Sequence, residues 1–148
     1  MPIDGGNRTK KERESLADVI EVRLPPTPDY IPLLRATVGV LAVIMSFNYD
    51  EIIQLRTAVS EAFNLAIRWA KHDGAPTSPD EISMRFLVTE DRIEILVPNL
   101  PGFIGTIDIG REVESCAILE SLMDEVGFGG ADNDPLISMS KYTRVGTI

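Results

Sequence analysis

The chain is poor in the residues that form disulfides and metal clusters. It has one cysteine, Cys116, and one histidine, His72, among 148 residues. A lone cysteine cannot form an internal disulfide, which is typical of a protein from a reducing cytoplasm. We expect Cys116 to be buried and inert on a helix. We expect His72 to lie at the C-terminal end of a helix, where its side chain interacts favourably with the helix dipole. No metal cluster surrounds His72 in the sequence, and the aspartates near the C-terminal end form no recognisable calcium loop, so no metal site is predicted.

Basic residues are in the minority, and no apolar run is long. Lys and Arg number 14 against 23 Asp and Glu, which gives a formal net charge of −9. An acidic surface is repelled by nucleic acid phosphates and anionic lipid, so we expect no direct nucleic-acid or membrane binding, whereas a basic protein partner is compatible. The longest apolar run, Val38 to Met45, is too short to span a bilayer, and the polar N-terminus predicts no signal peptide. We therefore expect a cytoplasmic protein.

The sequence contains enough apolar residues for one domain. A chain of this length can bury roughly 70% of the surface that it exposes when unfolded. Residues 1–16 are rich in Gly, Lys and Arg and have few apolar side chains, which predicts a disordered N-terminal tail. We expect residues 17–148 to form the folded domain.

The most regular pattern is a long amphipathic helix from Asn48 to His72. Asn48 and Glu51 have the spacing of a capping box, which predicts that the helix starts near Tyr49. Apolar residues recur at helical spacing along it and predict one buried face. They are Ile52, Leu55, Val59, Ala62, Phe63, Ala66, Ile67 and Ala70.

The remaining elements give a β-α-α-β-β-loop-α-β order. They are a strand at Val19–Leu24, a helix from an Asp29 N-cap to about Ser46, strands at Ile82–Thr89 and Arg92–Val97, a loop at Pro98–Gly110, a helix at Glu112–Val126 and a strand at Leu136–Tyr142. This order predicts an α/β (α+β) fold, a two-layer sandwich with a mixed or antiparallel sheet and helices on one face.

Several segments resemble, in order and spacing, the anti-sigma factor serine kinases of the GHKL (histidine-kinase-like) ATPase superfamily. They are the strand-to-helix segment Leu24–Tyr30, the helix segment Leu34–Val38, the run from Tyr49 to Ala62 into the N-box helix, the helix end Leu122–Val126 and the strand segment Met139–Tyr142. The resemblance implies a Bergerat-type sandwich, and it covers about residues 19–142.

The resemblance also implies a nucleotide site, of which only part is present. Glu61 stands where the family has the glutamate that orients or deprotonates the attacking group, and Gly102 keeps one glycine of the adenine segment. Leu65 replaces the asparagine that holds magnesium, and Pro98 replaces the adenine-reading aspartate. Leucine offers no oxygen to a hard cation, and phosphoryl transfer depends on electrostatic positioning. We therefore expect no cofactor, with ATP and Mg²⁺ required only if the kinase alternative holds.

Other residues around this site also depart from the family pattern. Leu100 replaces a glycine of the adenine segment, and Val113 and Ser115 replace the glycines on the phosphate side. Asn64 follows Glu61 by three positions instead of four, so it points about 100° away from the lost ligand. A shifted site that uses Asn64 stays open as an alternative.

Trp69 and Glu61 also have simpler interpretations. Trp69 stands where the N-box commonly ends in histidine, and we expect it to pack in the core or line a groove. For Glu61 we favour a solvated or partner-contacting glutamate on the polar face of its helix over a remnant catalytic base.

Arg35 is the candidate partner-binding residue. The resemblance implies that an arginine at this position of the first helix contacts the sigma factor, and arginine suits protein interfaces. The alternative is an intramolecular ion pair with Asp29 or another carboxylate.

The sequence thus predicts an anti-sigma factor, a partner-switching regulator of bacterial transcription in a stress response. Its implied partners are a sigma factor, an anti-sigma antagonist protein and a second copy in a homodimer. Two alternatives remain: an active ATP-dependent serine/threonine kinase that phosphorylates the antagonist, and a non-catalytic signalling scaffold of the same fold.

Overall fold

A computed structural model describes residues 16–72, 80–99, 110–129 and 135–143. Within these ranges the elements are β1 (Asp18–Leu24), α1 (Ile31–Ile44), α2 (Tyr49–His72), β2 (Ile82–Val88), β3 (Arg92–Val97), α3 (Val113–Leu122), β4 (Glu125–Phe128) and β5 (Ile137–Tyr142). The predicted tail lies outside the described residues except for residue 16. Most of the predicted loop at Pro98–Gly110 lies outside them too. No described helix is both long enough and apolar enough to cross a membrane.

The strands form one sheet in the order β1-β2-β3-β5-β4. Val22 pairs with Met84, Phe86 with Ile95, and Ile95 with Met139. All four described pairings are antiparallel. The sequence left a mixed or an antiparallel sheet open, and the described sheet is antiparallel. The predicted fold class is confirmed.

The core lies between one face of the sheet and the helices. On β2, Ile82, Met84 and Phe86 are fully buried whereas Arg85 between them is exposed, because successive side chains of a strand point to opposite faces. The helices contribute Leu34 and the buried stripe of α2 to the same cluster. The result is a two-layer sandwich with α2 as its central helix.

The predicted capping box at the start of α2 is confirmed. The backbone N–H of Asn48 donates to Glu51 Oε1 at 2.9 Å, and that of Glu51 donates to Asn48 Oδ1 at 2.8 Å. The start of the first helix differs from the prediction. The N-cap of α1 is Tyr30, not Asp29, and its side chain makes no capping hydrogen bond. A 3-10 turn at Pro28–Tyr30 precedes the helix, and Thr27 caps that turn, with its Oγ1 accepting from the Asp29 N–H at 3.4 Å.

The end of α1 is a Schellman motif. The N–H of Phe47 donates to the Ala42 carbonyl and that of Ser46 to the Val43 carbonyl, both at 3.0 Å. Ser46 has a φ of 64°, the left-handed conformation that this motif requires. The chain therefore reverses within a few residues and brings α2 alongside α1.

The predicted helix at Glu112–Val126 is too long at its C-terminal end. It stops at Leu122, and Glu125–Phe128 forms the edge strand β4 paired with β5. Lys141 Nζ donates to the Leu122 carbonyl at 2.8 Å and so satisfies one carbonyl at the helix end. Pairing with β5 and the partial burial of Val126 and Phe128 outweigh the helical pattern in this segment.

Candidate functional site

The polar side of α2 presents three residues of the candidate site. Glu61, Asn64 and Arg68 are all partly buried and follow helical spacing, so they share one side of the helix. Leu65 is fully buried on the apolar side of α2. Leu65 follows Glu61 by four positions, about 40° around the helix, and so lies where the polar side borders the buried stripe. Glu61 stays partly exposed there, whereas Leu65 is covered.

Arg68 connects this side of α2 to the start of α3. Its Nε donates to Glu112 Oε1 at 2.8 Å and to Oε2 at 3.2 Å. Its Nη2 donates to Ser115 Oγ at 2.9 Å and lies 3.8 Å from Glu61 Oε2. One guanidinium therefore contacts two carboxylates and ties together the two helices that border the candidate site.

Glu112 is the more buried partner in this cluster. Its side chain is 12% exposed, against 24% for Glu61 and 39% for Arg68. It also immediately precedes the first turn of α3, where the helix dipole favours negative charge. The charge-assisted hydrogen bond from Arg68 compensates the carboxylate for the water that it has lost.

The residues at the expected magnesium position do not fit a hydrated divalent cation. Leu65 is fully buried and offers no ligand atom, and the Glu61 carboxylate faces the Arg68 guanidinium. Among the described residues, no group of three or more His, Cys, Asp or Glu side chains could hold a metal ion. Asn64 is partly buried beside Leu65 but is joined to no such group.

Of the segment that the family resemblance assigns to adenine binding, the structure describes only the beginning. Pro98 is partly buried after β3 and can supply neither a carboxylate nor a backbone N–H donor. Gly102, Leu100 and Phe103 lie outside the described residues. The sequence predicts that Leu65, Leu100 and Phe103 at least partly fill the pocket between α2 and the segment from Pro98 to Val113. Of this prediction the structure describes only the burial of Leu65.

Arg68 and Glu112 are site residues that the sequence alone did not indicate. Arg68 was visible as part of the polar stripe on α2, seven positions after Glu61. No local pattern places Glu112 beside it, because that contact depends on how α3 packs against α2. Ser115 reaches the site too, where it accepts a hydrogen bond instead of providing a glycine-type backbone approach.

Trp69 and Cys116 are packing residues, as predicted. Trp69 is 3% exposed, and its ring meets that of Phe128 edge-on with centroids 6.1 Å apart. Cys116 is buried, and burial raises the pKa of its thiol. The side chain of His72 lies outside the described part of α2, although the helix ends at that residue.

Arg35 is held against α2 by hydrogen bonds rather than by an ion pair. Its Nη1 donates to Ser60 Oγ at 2.9 Å and to the Arg56 carbonyl at 3.2 Å. Within the described ranges it makes no ion pair with Asp29 or any other carboxylate. The side chain is partly exposed, with its orientation fixed by the second helix.

Comparison with known proteins identifies the family. No protein-family model matches the sequence. Curated relatives include serine-protein kinase RsbW of Bacillus pumilus, 32% identical, and of Bacillus velezensis, 40% identical; each comparison covers 84% of this chain and 86% of the relative. Serine-protein kinase RsbW of Listeria monocytogenes is 31% identical, with 86% of this chain and 89% of the relative covered.

A solved structure shares the fold. The crystal structure of the RsbU and RsbW domains of a Mycobacterium tuberculosis protein superposes with a TM-score of 0.56 at 12% identity, covering 84% of this chain and 32% of that chain. This likeness concerns the fold alone. The identity to its curated relatives and the extent of the match show that the chain belongs to the RsbW family of anti-sigma factor serine kinases.

Proposed function

We propose that this chain is an anti-sigma factor that regulates transcription by binding proteins and does not transfer phosphate. The observation that carries the proposal is the Arg68 cluster: the Glu61 carboxylate faces a guanidinium, while the buried Leu65 stands at the magnesium position. The membership of the RsbW family supports the anti-sigma role. The chemistry of the described site residues supports the loss of kinase activity.

The absence of suitable ligands has a large expected effect. Losing a bidentate adenine contact costs on the order of a few kcal/mol, or about 10²-fold in affinity. Losing the metal ligand removes the charge compensation on which phosphoryl transfer relies. In addition, any base function of Glu61 would have to compete with the positive charge of Arg68 3.8 Å away. Together these changes favour a nucleotide-independent regulator.

Arg35 is the proposed contact for the sigma factor. Its hydrogen bonds to Ser60 and to the Arg56 carbonyl use one terminal nitrogen and hold the guanidinium near the surface. A pre-oriented arginine loses less conformational entropy on binding than a freely rotating one. We further propose that an antagonist protein displaces the sigma factor, that the protein acts as a cytoplasmic homodimer, and that it serves a stress response.

Two observations favour a second candidate, an active kinase. The curated relatives are named serine-protein kinases, and Glu61 is present, partly exposed, at the position of the family glutamate. This candidate requires ATP and Mg²⁺ to bind through residues other than those at the expected positions.

Calorimetric titration with ATP and MgCl₂, up to millimolar nucleotide, separates the two candidates. We expect no binding heat. Binding at micromolar levels would instead favour the kinase, and Glu61→Ala should then abolish phosphate transfer to the antagonist.

Interferometry against a panel of purified sigma factors tests the anti-sigma role. We expect one sigma factor to bind, and Arg35→Ala to weaken that binding about tenfold or more. Arg23→Ala, which removes an exposed arginine on β1, serves as the matched control. A panel without any binder would contradict the proposal.

A further inference from the structure

The helix α3 is attached to the domain unevenly along its length. Two of its residues are buried, Cys116 and Leu119, whereas Val113 in the first turn is 60% exposed. Its C-terminal end is tied to β5, because Lys141 Nζ donates to the Leu122 carbonyl at 2.8 Å. Local opening is easiest where few apolar contacts hold a segment, so the N-terminal end of α3 needs another kind of attachment.

Two described polar contacts hold the N-terminal end of α3, and both come from Arg68 of α2. Glu112 stands at the N-cap position, but its side chain makes no capping hydrogen bond to its own helix. It accepts instead from Arg68 Nε at 2.8 Å, while Arg68 Nη2 donates to Ser115 Oγ at 2.9 Å. Because the Glu112 side chain is only 12% exposed, removal of Arg68 would leave this carboxylate without its charge partner in a poorly hydrated place.

The position of Arg68 within the candidate site is informative. On one side its Nη2 lies 3.8 Å from Oε2 of Glu61, which stands at the position of the family glutamate. On the other side it donates to Ser115, which stands at the position of a glycine on the phosphate side. Leu65, at the magnesium position, is fully buried and offers no ligand atom. A cation that belongs to the chain thus bridges two sides of a site whose metal ligand is missing.

From this geometry we propose that Arg68 is a positioning residue that replaces the metal ion of the site. Its guanidinium holds the first turn of α3 against α2, so this arrangement requires neither Mg²⁺ nor nucleotide. Arginine suits the role, because it stays charged and its planar fork can reach a carboxylate and a hydroxyl at once. The inference rests on the proposed function and deepens it, since it names the residue that makes the site independent of nucleotide.

Two other interpretations of Arg68 fit the structure less well. An exposed ion pair contributes little to holding two elements together, but Arg68 also bonds Ser115, and its partner Glu112 is largely buried. A metal site that Arg68 merely occupies would become available when Arg68 moved away, yet Leu65 would still provide no ligand.

The test uses Cys116 as a reporter, since it is the only cysteine of the chain and is 4% exposed on α3. Its thiol reacts with Ellman's reagent when α3 opens locally or when the chain unfolds. Arg68→Met keeps the apolar stem and removes the charge, and we expect it to accelerate the labelling of Cys116 about fivefold or more. Arg56→Met, at an exposed position on the same helix, is the matched control and should label at the wild-type rate.

The urea dependence of the labelling separates local opening from global unfolding. At low urea concentrations the labelling rate of Arg68→Met should hardly change with urea, because the opening of one helix end exposes little surface. If the labelling rate followed the urea dependence of global unfolding, Arg68 would only stabilise the whole domain, and the inference would be overturned.

Salt and a conservative variant test whether the charge of Arg68 holds α3. Labelling of the wild type should accelerate with NaCl, because a partly hydrated ion pair is screened, whereas labelling of Arg68→Met should not. Arg68→Lys keeps the charge and loses the planar fork, so its labelling rate should lie between those of the wild type and Arg68→Met. Equal rates for the lysine and methionine variants would contradict a role for the charge.

Metal and nucleotide supply the last readout. We expect the labelling rate of wild-type Cys116 to be the same in EDTA, in millimolar MgCl₂, and in MgCl₂ with ATP. Labelling that slows when MgCl₂ or MgCl₂ with ATP is added would show that a metal still holds α3, and the inference would fail.

The calorimetric titration with ATP distinguishes this inference from the proposed function. If ATP gives no binding heat, but Cys116 labels equally fast in the wild type and in Arg68→Met, the inference fails and the nucleotide-independent regulator stands. If ATP binds at micromolar levels, but the protection of Cys116 depends on Arg68 and is unchanged by ATP, the inference stands and the nucleotide-independent regulator fails.

Discussion

Arg68 Nε on α2 lies 2.8 Å from Glu112 Oε1 at the start of α3. This contact joins two helices that are separated in the sequence by two strands and a long connection. Because it also places positive charge near Glu61, one interaction fixes both the packing of α3 and the electrostatics of the candidate site.

The Arg68–Glu112 pair should contribute measurably to stability. A double-mutant cycle with Arg68→Ala and Glu112→Ala, measured by urea unfolding, should give a coupling of about 1 kcal/mol, because Glu112 is largely buried whereas Arg68 remains partly hydrated. The equivalent cycle of Arg68 with Glu61 should give a coupling below about 0.5 kcal/mol, since the 3.8 Å contact is not a hydrogen bond. Equal couplings for the two pairs would contradict this view of the cluster.

Ser46→Gly should stabilise the protein. Ser46 holds the left-handed conformation at the end of α1, which is unfavourable for residues that carry a Cβ by about 1 kcal/mol, and glycine adopts it freely. We expect the urea midpoint to rise by an amount equivalent to about 0.5–1 kcal/mol. Ser46→Ala is the control and should not raise it. A lower midpoint for the glycine variant would show that the Ser46 side chain makes an essential contribution.

Gly127 on β4 faces Ser138 on β5 at close range. A Cβ at position 127 would lie 2.9 Å from Ser138 Oγ, closer than these atoms can approach without a shift. Gly127→Ala should therefore turn the Ser138 hydroxyl away from the Gly127 carbonyl, to which it donates at 3.4 Å, and destabilise the protein by about 0.5–1 kcal/mol. The double variant Gly127→Ala/Ser138→Ala should recover most of that loss, because the second change removes the clashing oxygen. Thermal unfolding of Gly127→Ala, Ser138→Ala and the double variant measures whether the two changes are coupled. Additive effects would contradict the clash.

Glu21 should contribute to stability in a pH-dependent way. Arg23 and Arg85 donate hydrogen bonds to its carboxylate and hold its pKa below the ordinary value of 4.5. Since the folded state favours the charged form, the contribution is present above about pH 4.5 and is lost as the pH falls through the lowered pKa.

The measurement is the unfolding free energy of the wild type and of Glu21→Gln between pH 3 and 7. The wild type should be more stable by less than about 1 kcal/mol at pH 7, because the two arginines are largely exposed. The difference should shrink below pH 4.5. Glu120→Gln on the exposed side of α3 is the control. If the difference in unfolding free energy between the wild type and Glu21→Gln grew as the pH fell, the prediction would be contradicted.

The long helix and most strands could be predicted because their signals are local. The capping box at Asn48 and Glu51 fixes the start of α2, and the apolar spacing fixes which side is buried. That is why the place of Glu61 on the polar face of the helix followed from the sequence. β4 could not be predicted in the same way, since its four residues become a strand only through pairing with β5.

The candidate site was predictable only as far as one helix extends. The spacing of Glu61, Asn64 and Arg68 is visible in the sequence, but the approach of Glu112 and Ser115 depends on the packing of α3. Likewise, nothing local tells whether Arg35 pairs with Asp29 or with Ser60. The structure selects Ser60 because α1 and α2 run side by side after the turn at Ser46.

The pairing of β1 with β2 has a consequence for how the chain folds. These strands are neighbours in the sheet, but the whole of α1 and α2 lies between them in the sequence. Joining them directly from the unfolded chain would carry a large loop-closure entropy, which an already formed helical pair would reduce. We expect Asn48→Ala, which removes the cap of α2, to slow refolding while leaving the unfolding rate nearly unchanged in stopped-flow measurements. On this view the turn and cap between α1 and α2 set the folding speed of a sheet to which they contribute no strand.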